Sequence, residues 1–178
     1  MSQTNITAHD LQAAIRNVPD FPQPGIQFKD ITPVLADARL FAGAIDLLVA
    51  GHPPGSVDAV VGIDARGFIF AAAAALRLGA GFVPVRKKGK LPFQTYEQDY
   101  ALEYGTATVA MHVDALRPGA RVLLVDDLLA TGGTAAAAAA LVGKLGAHIV
   151  EICFLIELGF LPGRKKLGTY PVRSLVTY

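Results

Sequence analysis

The chain has 178 residues, of which 52% are hydrophobic and 17% charged, a size and composition that fit one compact globular domain. Its 18 glycines and 11 prolines fall short of a low-complexity composition, and the apolar content excludes general disorder. Sixteen Lys and Arg against fifteen Asp and Glu leave a net charge of +1, so no global field draws the chain to nucleic acid or to an anionic membrane, and any anionic ligand must be held by local groups.

The longest apolar runs, 68–76 and 135–142, are far shorter than the roughly 20 residues that cross a bilayer, which argues against a membrane span. The start of the chain, MSQTNITAHDLQ, has neither a basic segment nor a long apolar core, and Cys153 is the single cysteine, so a cytoplasmic location is expected. Cys153 lies in an apolar stretch and reads as core packing. His9, His52, His112 and His148 are dispersed, which argues against a structural metal site.

In chain order, Thr7 followed by Asp10 reads as a helix start, with Leu11, Ile15 and Val18 forming the apolar stripe of a short helix that ends before Pro19. The segment 21–33, FPQPGIQFKDITP, reads as an extended ordered arm rather than a regular element, and a helix resumes near Ala38 and runs to Val49. From there strands and helices alternate: strand 57–64, helix 68–78, strand 81–85, strand 121–125, helix 134–145 and strand 148–156. Continuous apolar runs such as VLLV between helical segments mark strands buried on both faces of a parallel sheet. The fold class is therefore α/β, a doubly wound and mostly parallel sheet in a single domain spanning 1–178. Residues 86–113 break the alternation, opening on RKKGK and passing into alternating Ala107, Val109, Met111 and Val113, and read as a flexible loop leading into an antiparallel hairpin.

The chemistry concentrates in RVLLVDDLLATGGTA (121–135): a buried strand, two acids at its carboxyl end, a small Gly/Thr loop, then a helix. Ligands of open α/β sheets bind at such a place. The N–H groups of Thr131, Gly132, Gly133 and Thr134, two hydroxyls and the helix N-terminus suit a phosphate dianion, and the glycines permit an approach that a Cβ would block. Asp126 and Asp127 precede the loop, where carboxylates accept hydrogen bonds from vicinal ribose hydroxyls or hold them through Mg²⁺-bound water, so that a phosphate beside a diol suggests a ribose 5-phosphate. Two acids alone more often mark a solvated strand end; the full strand–DD–loop–helix order does not. Neither a P-loop nor a GxGxxG fingerprint is present.

VLLVDDLLATGGT resembles the phosphoribosyl-pyrophosphate (PRPP) signature of type I phosphoribosyltransferases, in wording closest to the adenine phosphoribosyltransferase branch. PDFPQPGIQFKDITPVL (19–35), GIDARGFIF (62–70), VPVRKKGKLP (83–92), LEYGT (102–106) and GRKKL (163–167) resemble the same branch in the same order, so that the likeness covers essentially the whole chain. It implies the type I phosphoribosyltransferase fold, with residues 1–36 as an N-terminal arm forming a hood over the base and 86–113 as the flexible loop and hairpin. It also implies purine salvage: adenine and PRPP give AMP and pyrophosphate, with Mg²⁺ bound through substrate and water rather than by protein ligands.

The resemblance further implies residue roles. Ala130, Thr131, Gly132, Gly133 and Thr134, with Asp126 and Asp127, hold the ribose 5-phosphate. Arg66, in the turn Asp64-Ala65-Arg66-Gly67, is the cation of the pyrophosphate cradle, a role for which a guanidinium is suited; a structural ion pair is the alternative. Arg86, Lys87, Lys88 and Lys90 form the densest positive cluster of the chain and supply counter-charge for the leaving group, the alternative being a solvated loop. Gln27, Phe28 and Lys29, with Leu128, read adenine. Related adenine enzymes often carry Arg where this chain has Lys29, which keeps the charge without the planar fork. Hypoxanthine-guanine relatives carry Asp at the position of Ala130, so its absence argues against 6-oxopurines. Glu103 is the acid placed near adenine N7, with Tyr104 beside the reacting centre; as an unassigned residue Glu103 would be a surface acid of a hairpin. Basic loop residues of relatives reach the neighbouring subunit, which implies a homodimer.

Two other readings remain open on the sequence: a phosphoribosyltransferase for another base, and a PRPP-sensing regulator that has lost turnover. The segment 1–56 carries no recognisable helix-turn-helix and little net charge, which disfavours a nucleic-acid partner.

Overall fold

The computed structural model describes residues 5–102 and 105–178. The chain divides into two compact units, one up to Leu47 and one from Leu48 to Tyr178.

The smaller unit begins with α1 (Ala8–Ala14), whose start is a reciprocal capping box: the Asp10 N–H donates to Thr7 Oγ1 at 3.3 Å and the Thr7 N–H donates to Asp10 Oδ2 at 2.8 Å. The helix is shorter than the sequence stripe suggests. Val18 lies instead in β1 (Arg16–Pro19), which pairs antiparallel with β2 (Gln27–Asp30) in the register Arg16↔Asp30 to Pro19↔Gln27. The arm read as irregular thus holds a strand, followed by the short α2 (Thr32–Ala36) and then α3 (Ala38–Leu48), at whose start Asp37 Oδ1 accepts the N–H groups of Arg39 and Leu40. Pro22 and Pro24 lie between its strands, and Pro19 is the last residue of β1, at the end of the ladder.

In the larger unit the elements are β3 (Ala59–Ile63), α4 (Gly67–Leu78), β4 (Gly81–Lys87), β5 (Thr95–Ala101), β6 (Thr106–His112), β7 (Arg121–Leu129), α5 (Gly133–Lys144), β8 (His148–Glu157), a 3₁₀ helix (Gly163–Leu167) and β9 (Val172–Thr177). They form a seven-stranded sheet in the order β5-β6-β4-β3-β7-β8-β9. The five strands β4-β3-β7-β8-β9 are parallel, and β6 and β5 extend the β4 edge antiparallel. This is the doubly wound, mostly parallel sheet expected. The antiparallel hairpin expected within 86–113 is formed by β5 and β6; β5, TYEQDYA, is an edge strand with few apolar residues, and Lys144 Nζ donates to its Glu97 carbonyl at 2.7 Å, tying it to the end of α5.

All five residues of β3 are buried, as are residues 122–125 of β7. One sheet face, with Val61, Ile63, Val85, Val122 and Leu124, joins Ala135, Ala138, Leu141 and Val142 of α5 in the main core. On the other face α4 packs so closely that a Cβ at Gly62 would overlap the Ala71 side chain. The alanine runs of both helices allow this approach to the sheet. From β3 the chain leaves through α4 to β4 on one side, and from β7 it leaves through α5 to β8 on the other, so the carboxyl ends of β3 and β7 flank the point where the winding reverses.

Candidate active site

At that reversal β7 continues past its apolar run, so that Asp126, Asp127 and Leu128 are strand residues and the loop is only 130–132. Gly132 takes φ +76°, a left-handed conformation open to glycine, and α5 starts at the next residue. No side chain caps α5. Its first-turn N–H groups therefore lack intrahelical partners, and they border a cavity of about 80 Å³ lined by Asp126 and residues 128–135. An uncapped N-terminus over a small concavity is an anion site in form. Ala130, Thr131, Gly132, Gly133 and Thr134 are thus brought together with Asp126.

Arg66 lies at the start of α4, after a cis peptide between Asp64 and Ala65. A Cβ at Gly67 would run into Asp126 Oδ1 and lie 3.2 Å from the Asp126 Cα, so only glycine lets α4 begin against β7 here. The Arg66 Nη2 stands 2.7 Å from Asp127 Oδ2, and Asp126 Oδ1 accepts the Asp127 N–H at 2.9 Å. Burial raises the carboxyl pKa of Asp126 well above the ordinary range, and the Asp127 charge adds to it; burial also raises that of Asp127, against the pull of Arg66.

Arg86, at the end of β4, donates from Nε to Asp64 Oδ2 at 2.9 Å and from Nη1 to the Lys90 carbonyl at 3.0 Å. In the sequence Asp64 is only the first residue of the turn, and nothing local signals that it holds Arg86. Lys87 and Lys90 are exposed, whereas Lys88 pairs with Glu97 at 2.7 Å within the hairpin. Glu103 and Tyr104 lie outside the described residues. Gln27, Phe28 and Lys29 are on β2 of the smaller unit, where Phe28 meets Phe21 edge-on at 5.1 Å and Lys29 Nζ donates to Asn17 Oδ1 at 2.6 Å.

The carboxylates of Asp126 and Asp127 are hard oxygen donors, and Asp127 Oδ2 accepts no hydrogen bond among the described residues. Two neighbouring carboxylates fit a hydrated Mg²⁺ that arrives with a diphosphate, and are too few to build its six-oxygen shell alone. No helix among the described residues is long and apolar enough to cross a membrane.

Residues 27–176 match the phosphoribosyl transferase domain family. The chain is 62% identical over 164 residues to adenine phosphoribosyltransferase of Acidothermus cellulolyticus, covering 92% of this chain and 93% of that protein. Among solved structures, adenine phosphoribosyltransferase of Thermoanaerobacter pseudethanolicus superposes with a TM-score of 0.91 at 50% identity, covering 97% of this chain and 100% of the other. The Saccharomyces cerevisiae enzyme, crystallised with an imino-altritol bisphosphate and adenine, superposes with a TM-score of 0.89 at 43% identity, covering 94% and 97%. With a domain match over most of its length and an uncapped helix over paired acids at the winding reversal, the chain belongs to the phosphoribosyltransferase family, on the branch whose members carry the name adenine phosphoribosyltransferase.

Proposed function

We propose that this protein transfers the 5-phosphoribosyl group of PRPP to adenine, forming AMP and pyrophosphate in purine salvage. The observation that carries the reading is the corner between β7 and α5, where Asp126 lines the cavity at an uncapped helix start and Asp127 follows it in the strand, in a chain whose relatives bear that activity in their names.

The main-chain N–H groups of 130–134, with the Thr131 and Thr134 hydroxyls, bind the 5-phosphate; several charge-assisted hydrogen bonds acting together supply an affinity that one donor does not. Asp126 and Asp127 bind the ribose hydroxyls, and their negative charge favours a ribosyl centre that becomes oxocarbenium-like as the bond to pyrophosphate breaks. Arg66, Arg86, Lys87 and Lys90 take up the charge of the leaving pyrophosphate. Mg²⁺, bound with PRPP, adds Lewis-acid neutralisation of that charge.

The resemblance assigns Gln27, Phe28 and Lys29 to adenine, and Leu128 as well. It assigns Glu103 to the proton at adenine N7 and Tyr104 to the vicinity of the reacting centre. Closure of the flexible loop that leads into the hairpin within 86–113 excludes the water that would otherwise hydrolyse the sugar. A homodimer is the working form on the same grounds, and a cytoplasmic site of action agrees with a single cysteine, Cys153, that has no partner for an internal disulfide.

The deciding experiment supplies purified protein with PRPP, Mg²⁺ and, separately, adenine, guanine, xanthine, hypoxanthine and orotate, and measures nucleotide and pyrophosphate. AMP from adenine is expected, with loss of turnover when Mg²⁺ is chelated. Preferred formation of GMP, XMP, IMP or OMP would assign another base, and PRPP binding with no turnover on any base would favour the regulator.

A further inference from the structure

GRKKL (163–167) is part of the family likeness, yet no step of the reaction above uses it. It forms the 3₁₀ helix that follows β8, and its first residue lies against the phosphate loop. A Cβ on Gly132 would collide with the Gly163 carbonyl oxygen and lie 3.0 Å from the carbonyl carbon and Cα of Gly163. In return, a Cβ on Gly163 would collide with the Ala130 carbonyl oxygen and lie 3.1 Å from Leu129 Cδ1. The obstacles are largely main chain, which cannot swing aside as a long side chain can. Gly132 has a second reason to be glycine, its φ of +76°. Gly163 is not among the glycines of positive φ, so close approach to the loop is the reason for glycine there.

The 3₁₀ helix is itself clamped. Leu167 is 2% exposed and belongs to the main core. Arg164 grips Glu157 through two nitrogens, Nε to Oε1 at 3.0 Å and Nη2 to Oε2, and donates from Nη1 to the Val172 carbonyl at 2.8 Å. Glu157 also accepts from Ser174 Oγ at 2.7 Å and stands opposite Leu129 in the β7–β8 register. A planar fork on a carboxylate fixes orientation as well as distance.

We infer that Gly163 is a positioning residue for the sugar-phosphate site, held in place by the Arg164–Glu157 pair: the 3₁₀ helix is the template on which residues 130–132 take the shape that aims the first-turn N–H groups of α5 at the 5-phosphate. The inference rests on the phosphoribosyl-transfer reading and extends it to a segment outside the loop. Ligand donors misplaced by about 1 Å cost as much as a hundredfold, so a small displacement of this backbone has a measurable effect.

The test compares wild type, Gly163→Ala and Arg164→Gln in AMP formation and in calorimetric titration with ribose 5-phosphate, thermal melting confirming that each is folded. In Gly163→Ala, KM for PRPP and Kd for ribose 5-phosphate rise about tenfold or more while KM for adenine is unchanged, and Arg164→Gln shifts the first two in the same direction by less. A merely structural glycine would lower the melting temperature and leave both sugar-phosphate constants alone. Either folded variant with wild-type values for PRPP and ribose 5-phosphate overturns the inference; if Gly163→Ala does not fold, Arg164→Gln decides. A wild-type protein that makes no AMP would sink the proposed reaction instead, and the ribose 5-phosphate titration would still decide the positioning role.

Discussion

Arg66 and Asp127 meet at the carboxyl ends of neighbouring strands, Nη2 2.7 Å from Oδ2, with the carboxylate buried and the guanidinium partly exposed. The cation assigned to pyrophosphate is thus already opposite an acid assigned to ribose, and the approach is one of charge, since Oδ2 accepts no hydrogen bond among the described residues. Two proposed substrate contacts are mechanically coupled before any ligand arrives.

Arg66→Ala is expected to lower kcat by roughly two to three orders of magnitude, the usual effect of losing a charge-stabilising contact. It also strands a buried carboxylate, so the double variant Arg66→Ala/Asp127→Asn should melt at a higher temperature than Arg66→Ala alone. Melting of the double variant at or below the single variant would show that the pair is not coupled.

The raised pKa of Asp126 and Asp127 has a definite sign. Carboxyls that hold protons more tightly when folded contribute stability that is full below the unfolded value, about 3.9, and is lost as pH rises through their folded values. Asp126→Asn cannot ionise, so its melting temperature should fall less than that of wild type as pH rises from acid, while KM for PRPP is raised. Melting curves from acid to neutral pH check this, and a variant whose melting temperature falls as much as that of wild type would refute it.

Glu151 behaves in the opposite sense. Burial works to raise its pKa, but hydrogen bonds with Arg173, His52 and Cys153 outweigh burial and hold it at about 2. Its contribution to stability is present above the unfolded value near 4.3 and is lost as pH falls through about 2. Glu151→Gln should be destabilised at neutral pH, with the gap to wild type closing on acidification; a gap of constant size down to acid pH would remove the carboxylate as its source.

Phe28 presents an aromatic face of the kind that suits a flat base, and Phe21 supports it edge-on. Phe28→Ala is expected to raise KM for adenine by about tenfold, with KM for PRPP unchanged, in steady-state assays that vary each substrate in turn. Equal changes in both constants would count against a base contact.

Glu103→Ala should reduce kcat by roughly two to three orders of magnitude, as expected for a group that stabilises or transfers a proton in the transition state. Wild-type turnover would remove Glu103 from the mechanism.

Much of this was legible in the chain because the information is contiguous. Strand, acids, loop and helix follow one another within 121–135, so apolar run, Gly/Thr loop and alanine helix define the anion corner by local conformation alone. Thr7 and Asp10 likewise announce a helix start that needs no distant partner. Elements whose strand character depends on a neighbour were not legible. β1 and β2 are four residues each and stabilise one another across a proline-rich turn, and β9 completes the far edge on β8, whereas the β5–β6 hairpin is signalled by the alternation at 107–113. Local pattern carries little signal for short or edge strands, since their ladders are made by other segments.

The sequence by itself determined an α/β chain with a Gly-rich helix start behind paired acids, because secondary-structure periodicity and the stereochemistry of a Gly-rich turn are properties of neighbouring residues. Only the tertiary structure decided which charges meet. Asp64 holds Arg86, Asp127 faces Arg66, Glu157 grips Arg164, and Gly163 packs against the turn at Gly132. All but Glu157 and Arg164, seven residues apart, are distant in the chain, and burial and distance, which set the strength of a charge pair and the cost of an added methyl, exist only once the sheet has assembled.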